Sequence, residues 1–186
     1  VESGGQVADT GRLVGPGWEV VVEDVRRPIE GMIVHIGRVV SGQPRVGDSV
    51  IAQVDAERRW DTMRNHTATH LLHRALRSVL GSHVAQAGSL VSPERLRFDF
   101  NYEKPLTVEQ RLEIERRVVE AVLANYEVNA RQEAYRDALA QGVTALFGEK
   151  YGDWVRTVNI GGGEADVAFS RELCGGTHLD RTGQVG

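Results

Sequence analysis

Along the first 55 residues, apolar positions come in short runs separated by glycine-bearing turns: Trp18 to Val22, Met32 to Ile36 and Ser49 to Val54. Runs of that length, rich in β-branched residues, predict short strands of a small β-barrel or sandwich. The period then changes. Ala68, Leu71, Leu72, Ala75, Leu76, Val79 and Leu80 recur at helical spacing, with Asp55 or Asp61 as the N-cap and Gly81 at the end. At about 100° per residue, His66, His70 and His73 fall on the side of this helix opposite its apolar stripe. Past Gly81, Leu96, Phe98 and Phe100 alternate with Arg95, Arg97 and Asp99, the pattern of a half-buried strand. Thr107 and Gln110 form a capping box for a helix expected to bury Leu112, Val119, Val122, Leu123 and Tyr126. Glu127 to Glu133 and Tyr151 to Ile160 read as strands, Gly161 to Gly163 as a loop. Strands and helices are interspersed without βαβ repetition, so the fold class is α+β.

Composition narrows the function classes. A formal charge of −4 leaves no broad basic surface, so any nucleic acid is gripped over a short piece only. One cysteine excludes an internal disulfide and makes the cytoplasm the simplest location. No apolar stretch approaches the roughly 20 residues needed to cross a bilayer, so no membrane partner is expected. A start at Val1 running straight into Ser3-Gly4-Gly5-Gln6 reads as a cut inside a longer protein.

The chemistry concentrates in two short stretches. His66-Thr67-Ala68-Thr69-His70 sets two imidazoles four residues apart, one above the other on a helix. Cys174-Gly175-Gly176-Thr177-His178 places a thiolate and a third imidazole at the same spacing, on a turn. Each stretch alone has an ordinary reading: a solvated helix face, and a small buried thiol. Together, three nitrogens and one sulfur suit Zn2+ and disfavour magnesium or calcium, which want oxygen. The ligands are therefore His66, His70, Cys174 and His178. A gap of about a hundred residues is no zinc-finger spacing, and Thr67 stands where a metalloprotease carries its glutamate. His73 is expected on the surface or behind a ligand.

Four motifs make the chain recognisable. Asn65 to Leu72, Arg95 to Phe100, Leu146 to Asp153 and Glu172 to His178 resemble the editing domain of alanyl-tRNA synthetase, and Ser3 to Gln6 resembles the glycine-rich motif of the small β-domain before it. Free-standing alanyl-tRNA editing proteins are similar too. The resemblance implies an N-terminally truncated, glycine-rich small β-barrel domain at 1–58. At 59–186 it implies a zinc-dependent editing domain, an antiparallel sheet packed on helices. It implies hydrolysis of Ser-tRNA(Ala) and Gly-tRNA(Ala), either as part of the synthetase or as a free-standing deacylase; a zinc-stabilised tRNA-binding module is the non-catalytic alternative. The implied partners are the tRNA(Ala) acceptor end carrying serine or glycine and the rest of the synthetase chain.

By position, the resemblance makes Gln86 and Ser89 pocket residues and Thr69 a sensor of the serine hydroxyl, with Thr67 beside it. Gln86 and Cys174 are the implied catalytic side chains. The amides of Gly175 and Gly176 either serve as oxyanion donors or only shape the turn. Asp99 and Glu172 are the carboxylates near the motifs that could act as a base. Arg97, Lys150 and Arg156 are candidates for phosphate or ribose contacts, or plain surface charges. Gly161 to Asp166 is longer than the connection the family pattern suggests.

Overall fold

The alternating first quarter of the chain forms β1 (Gly11–Gly15), β2 (Trp18–Arg26), β3 (Val34–Ser41) and β4 (Ile51–Val54). They make one antiparallel sheet in the order β3-β2-β1-β4, with Pro16-Gly17 closing the β1–β2 hairpin and Gly17 at φ +73°. This computed structural model describes residues 4–29, 31–144, 152–162 and 168–186. Among them no pairing joins β3 to β4, so the sheet stays open: four strands are too few to close around a filled interior. Ala8, Val22 and Val25, with Leu13, form its small core.

Asp55, not Asp61, caps the long helix α1 (Ala56–Leu80); its carboxylate accepts the Arg58 N–H, and the Gly81 N–H closes the far end on the Arg77 carbonyl. The helix is central because it is buried on several sides. Ala75, Leu76 and Leu80 pack with Val84 and Ile114, while Leu71 packs with Ala121 and Ile160. Burial of each such leucine contributes about 2 kcal/mol. The histidine side is buried as well: Thr62, His66, Thr67, Thr69, His70 and His73 are all inside. A solvated polar face is thereby ruled out for the histidine pair.

A hairpin of β5 (Gln86–Val91) and β6 (Leu96–Phe100) lies against α1. The α2 helix (Val108–Leu123) has the expected Thr107–Gln110 capping box. Its buried face differs from the expected one. Ile114 and Ala121 are inside with Val118 and Val122 against them, whereas Leu112, Val119 and Leu123 are 60%, 48% and 78% exposed. The helix carries two apolar stripes, and the one holding Ala121 packs against Leu71 and Ile160, with the Thr182 hydroxyl donating to the Ala121 carbonyl at 2.6 Å. Tyr126 stacks on Phe169 instead of entering the core.

The last sheet runs β7 (Val128–Ala134), β8 (Trp154–Ile160) and β9 (Ser170–Leu173), antiparallel in that order, with the short α3 (Tyr135–Ala140) after β7. Antiparallel sheets and helices together confirm the α+β class. Of the motif Leu146 to Asp153, residues up to Tyr151, including Lys150, lie outside the described residues, as do Ser3 and Gly163 to Asp166 of the long connection.

The start of the chain is stitched to α1 and to the β5–β6 hairpin. The Val91 N–H donates to the Gly5 carbonyl (2.8 Å), and the Val7 N–H to the Val91 carbonyl (3.0 Å). Arg59 pairs through two nitrogens with Asp9 at 2.5 and 2.6 Å, and Arg58 donates to the Ala8 carbonyl. These links carry Gly4 to Gln6 over the middle of α1.

Candidate metal centre

One helical turn separates His66 from His70, and their rings stack with centroids 5.5 Å apart. Opposite them, β9 ends at Leu173 and delivers Cys174 into a turn that brings back His178, whose ring lies 4.4 Å from His66 and 4.9 Å from His70. One donor atom from each of His66, His70, Cys174 and His178 falls within 4.8 Å of all the others. The Cys174 Sγ is 3.3 Å from His66 Nε2 and 3.4 Å from His178 Nε2. A tetrahedral ion with nitrogens at ~2.05 Å and sulfur at ~2.3 Å would set nitrogen and sulfur about 3.5 Å apart. Nε2 of His70 is buried with no hydrogen-bond partner. That orphaned atom, facing a buried thiolate-type donor, fits a metal ion, and the donor set supplies what one needs.

The turn is held from three directions. Arg156 on β8 donates to the carbonyls of Cys174 and Gly176, both at 2.7 Å, while its own carbonyl accepts the Cys174 N–H. The Gly176 N–H points at Sγ (3.4 Å), and the Leu179 N–H donates to Thr67 Oγ1 (3.1 Å). Gly176 must be glycine, because a Cβ there would lie 2.0 Å from His66 Cε1. These contacts place three of the residues singled out in the sequence. Gly176 has its amide committed to the sulfur and shapes the turn. Thr67, fully buried and bonded to Leu179, does not reach the cavity. Arg156 clamps the cysteine turn and is no plain surface charge.

Behind the ligands stands Glu172. On β9 it shares a face with Ser170, both buried, while Leu173 points to the other side. Its Oε2 is 3.0 Å from Nδ1 of both His70 and His73, and its Oε1 accepts from Ser170 Oγ at 2.8 Å. A carboxylate there orients each ring with Nδ1–H outward and Nε2 as the lone pair. Burial opposes ionisation of Glu172, but the two histidines outweigh it and hold its carboxyl well below the usual range. Such a carboxylate is a poor general base and a good anchor. Burial alone would lower His70, yet Glu172 and the Cys174 sulfur raise it to about 10 in the metal-free site. Burial likewise opposes the thiolate, but the surrounding histidines depress Cys174 well below an ordinary thiol. His178, by contrast, is pushed down to about 4, by burial first and then by the other histidines.

Next to the donors is a cavity of about 20 Å³ lined by Thr69, His73, Gln86, Ser89, Phe98 and Gly4 together with ligand atoms. It is large enough for about one water-sized group. The Ser89 hydroxyl and His73 Nε2 are buried there without partners, while the Thr69 hydroxyl donates to the Asn65 carbonyl and keeps its lone pairs free. Gln86, Ser89 and Thr69 are thus brought to the centre, and exposed Gly175 is not among the cavity's lining residues. Asp99 pairs with exposed Arg97, 3.1 Å away and off the cavity lining. Sequence reasoning missed the roles of Gln6 and Arg156 and placed Glu172 only among candidate bases.

Within an α+β fold, one sulfur and three imidazoles stand in an arrangement compatible with a metal ion, and the comparisons give that arrangement its setting. Residues 1–58 match the model of tRNA synthetases class II (A), and residues 155–186 match the threonyl and alanyl tRNA synthetase second additional domain. Over its full length the chain is 56% identical to 21% of the alanine–tRNA ligase of Chloroflexus aurantiacus. It is likewise 55% identical to 22% of the Roseiflexus sp. ligase, and 52% identical to 21% of that of Pseudothermotoga lettingae. The chain is therefore related from end to end to one segment of the alanine–tRNA ligases, the family its motifs resemble. It spans about a fifth of the length of those relatives.

Proposed function

We propose that this chain hydrolyses the ester of mischarged tRNA(Ala), releasing serine or glycine, at a zinc centre formed by His66, His70, Cys174 and His178. The observation that carries the reading is the small cavity lined by His66, His70 and Cys174, with unpartnered hydroxyl and imidazole atoms in its wall. A pocket built for alanine cannot exclude glycine and discriminates an added hydroxyl by only about a hundredfold, so a second, hydrolytic site removes the error. A cavity of about 20 Å³ beside the donors admits only a small group.

In the reaction the water oxygen bonds to the ester carbonyl carbon, the carbonyl–ribose oxygen bond breaks, and the ribose oxygen takes a proton. Zinc, when bound, polarises a carbonyl or lowers the pKa of a water. The protein's own groups position the reactants. Ser89 Oγ and His73 Nε2 take the substrate's hydroxyl or the water, Thr69 offers lone pairs from the helix, and Gln86 presents an amide from β5. Glu172 stays ionised and keeps His70 and His73 in one tautomer. Only the acceptor end of the tRNA touches this chain, consistent with a net charge of −4.

One observation favours a second reading. Four protein donors make the closed set of a structural zinc site, which supports a non-catalytic tRNA-binding module. Incubation with Ser-tRNA(Ala), Gly-tRNA(Ala) and Ala-tRNA(Ala) separates the two. Serine and glycine release, with Ala-tRNA(Ala) spared and release slowed by Ser89→Ala, supports hydrolysis. Binding of all three without release establishes the module instead.

A further inference from the structure

Gln6 sits ahead of β1 and is 5% exposed. Its place is set by the Gly5–Val91 and Val7–Val91 backbone bonds on either side, and Gly5 comes so near β5 that a Cβ would lie 2.7 Å from the Ser89 carbonyl oxygen. The side chain reaches into the metal centre. Its Oε1 is 2.7 Å from His66 Nδ1 and accepts the Thr177 N–H at 2.8 Å, while Nε2 donates to Thr177 Oγ1 at 2.9 Å.

The Thr177 amide can only donate, so the atom facing it is the amide oxygen. An amide oxygen can only accept, so the His66 nitrogen facing it carries the proton. His66 Nε2 is then the lone pair, turned toward Cys174 Sγ at 3.3 Å. A single side chain from the first segment thereby orients a ligand on α1 and ties down the turn that carries Cys174 and His178.

We propose that Gln6 is a positioning residue of the metal centre, selecting the metal-binding tautomer of His66 and locking the cysteine turn to it. This rests on the reading of the four donors as a metal site and is independent of whether the chain cleaves tRNA esters. It makes the glycine-bearing segment part of the site and no mere lead-in to the sheet.

The test needs the metal alone. Zinc affinity of the 186-residue chain is measured by competition with a chelator, and cobalt(II) absorption reports the ligand field. Gln6→Leu, which removes the acceptor, is expected to weaken zinc ~10- to 100-fold, as loss of a partner behind a ligating histidine does. Gln6→Glu, which keeps an acceptor facing both His66 and Thr177, is expected to bind zinc as the wild type does. Thr177→Val, which removes only the hydroxyl, is expected to change affinity far less than Gln6→Leu. Nitrogen-detected NMR of the zinc-loaded wild type is expected to show the His66 proton on Nδ1. Wild-type affinity in a folded Gln6→Leu chain, or a His66 proton on Nε2, overturns the proposal; should Gln6→Leu fail to fold, the NMR result and Gln6→Glu decide. Failure of the wild type to bind zinc or cobalt at all overturns the metal reading instead.

Discussion

Two regions of this chain use burial in opposite ways. In the first sheet every residue of β3 and β4 is exposed, and Ile51, Val39 and Ile36 lie 65%, 50% and 41% open. In α1, by contrast, His66, His70, His73, Thr67 and Thr69 are buried. The apolar side chains are outside in one region and the polar ones inside in the other. Burying polar atoms is costly unless most of them are paired, so the second region must be over-determined. It is: Gln6, Glu172 and Arg156 each hold two groups of the centre at once. Changes there are expected to cost far more than changes in the outer strands.

The largest effect is expected at the donors. Cys174→Ala should lower zinc affinity by more than the ~100-fold that losing an outer partner costs, read by metal content after dialysis. Retained stoichiometric zinc would break the contrast at its strongest point. Next, Glu172→Ala strands the Nδ1 groups of His70 and His73 in the interior. It is expected to destabilise the metal-free chain by about 3–5 kcal/mol in urea unfolding.

Acid comes third. The folded chain prefers neutral His178, with its pKa pushed down to about 4, so the stability this provides is full above the ordinary value of 6.5 and drains as pH falls toward 4. His70, raised to about 10, does the reverse: its contribution is full below 6.5 and drains as pH climbs toward 10. Through His178 alone the metal-free chain should therefore lose about 3 kcal/mol between pH 6.5 and pH 4. Urea midpoints across that range check the sign. The smallest effect belongs to the outer strands. Ile51→Thr should move stability by no more than about 0.5 kcal/mol, and a larger loss would show that β4 is packed more tightly than its exposure implies.

Local signals carried much of this structure. The caps at Asp55 and Thr107 and the alternation at Leu96 to Phe100 depend on neighbours a few residues away, and each stands where its pattern places it. The donors were legible for a chemical reason, since few residue types bind soft metals and the lone cysteine lies four residues from a histidine. What stayed hidden depends on distant partners. Gln6 meets His66 across 60 residues and Thr177 across 171, while Glu172 meets His73 across 99. No local period encodes such meetings. β5 escaped because Gln86-Ala87-Gly88-Ser89 lacks apolar alternation and shifts register at Gly88. The buried face of α2 was misjudged because two stripes compete and only tertiary packing chooses between them.

Zinc-edge X-ray absorption on the purified chain, with metal counted on the same sample, addresses the centre itself. One zinc per chain is predicted, surrounded by three nitrogens at about 2.0–2.1 Å and one sulfur at about 2.3 Å. A shell without sulfur, or zinc well below one per chain after reconstitution, would contradict a centre built from His66, His70, Cys174 and His178.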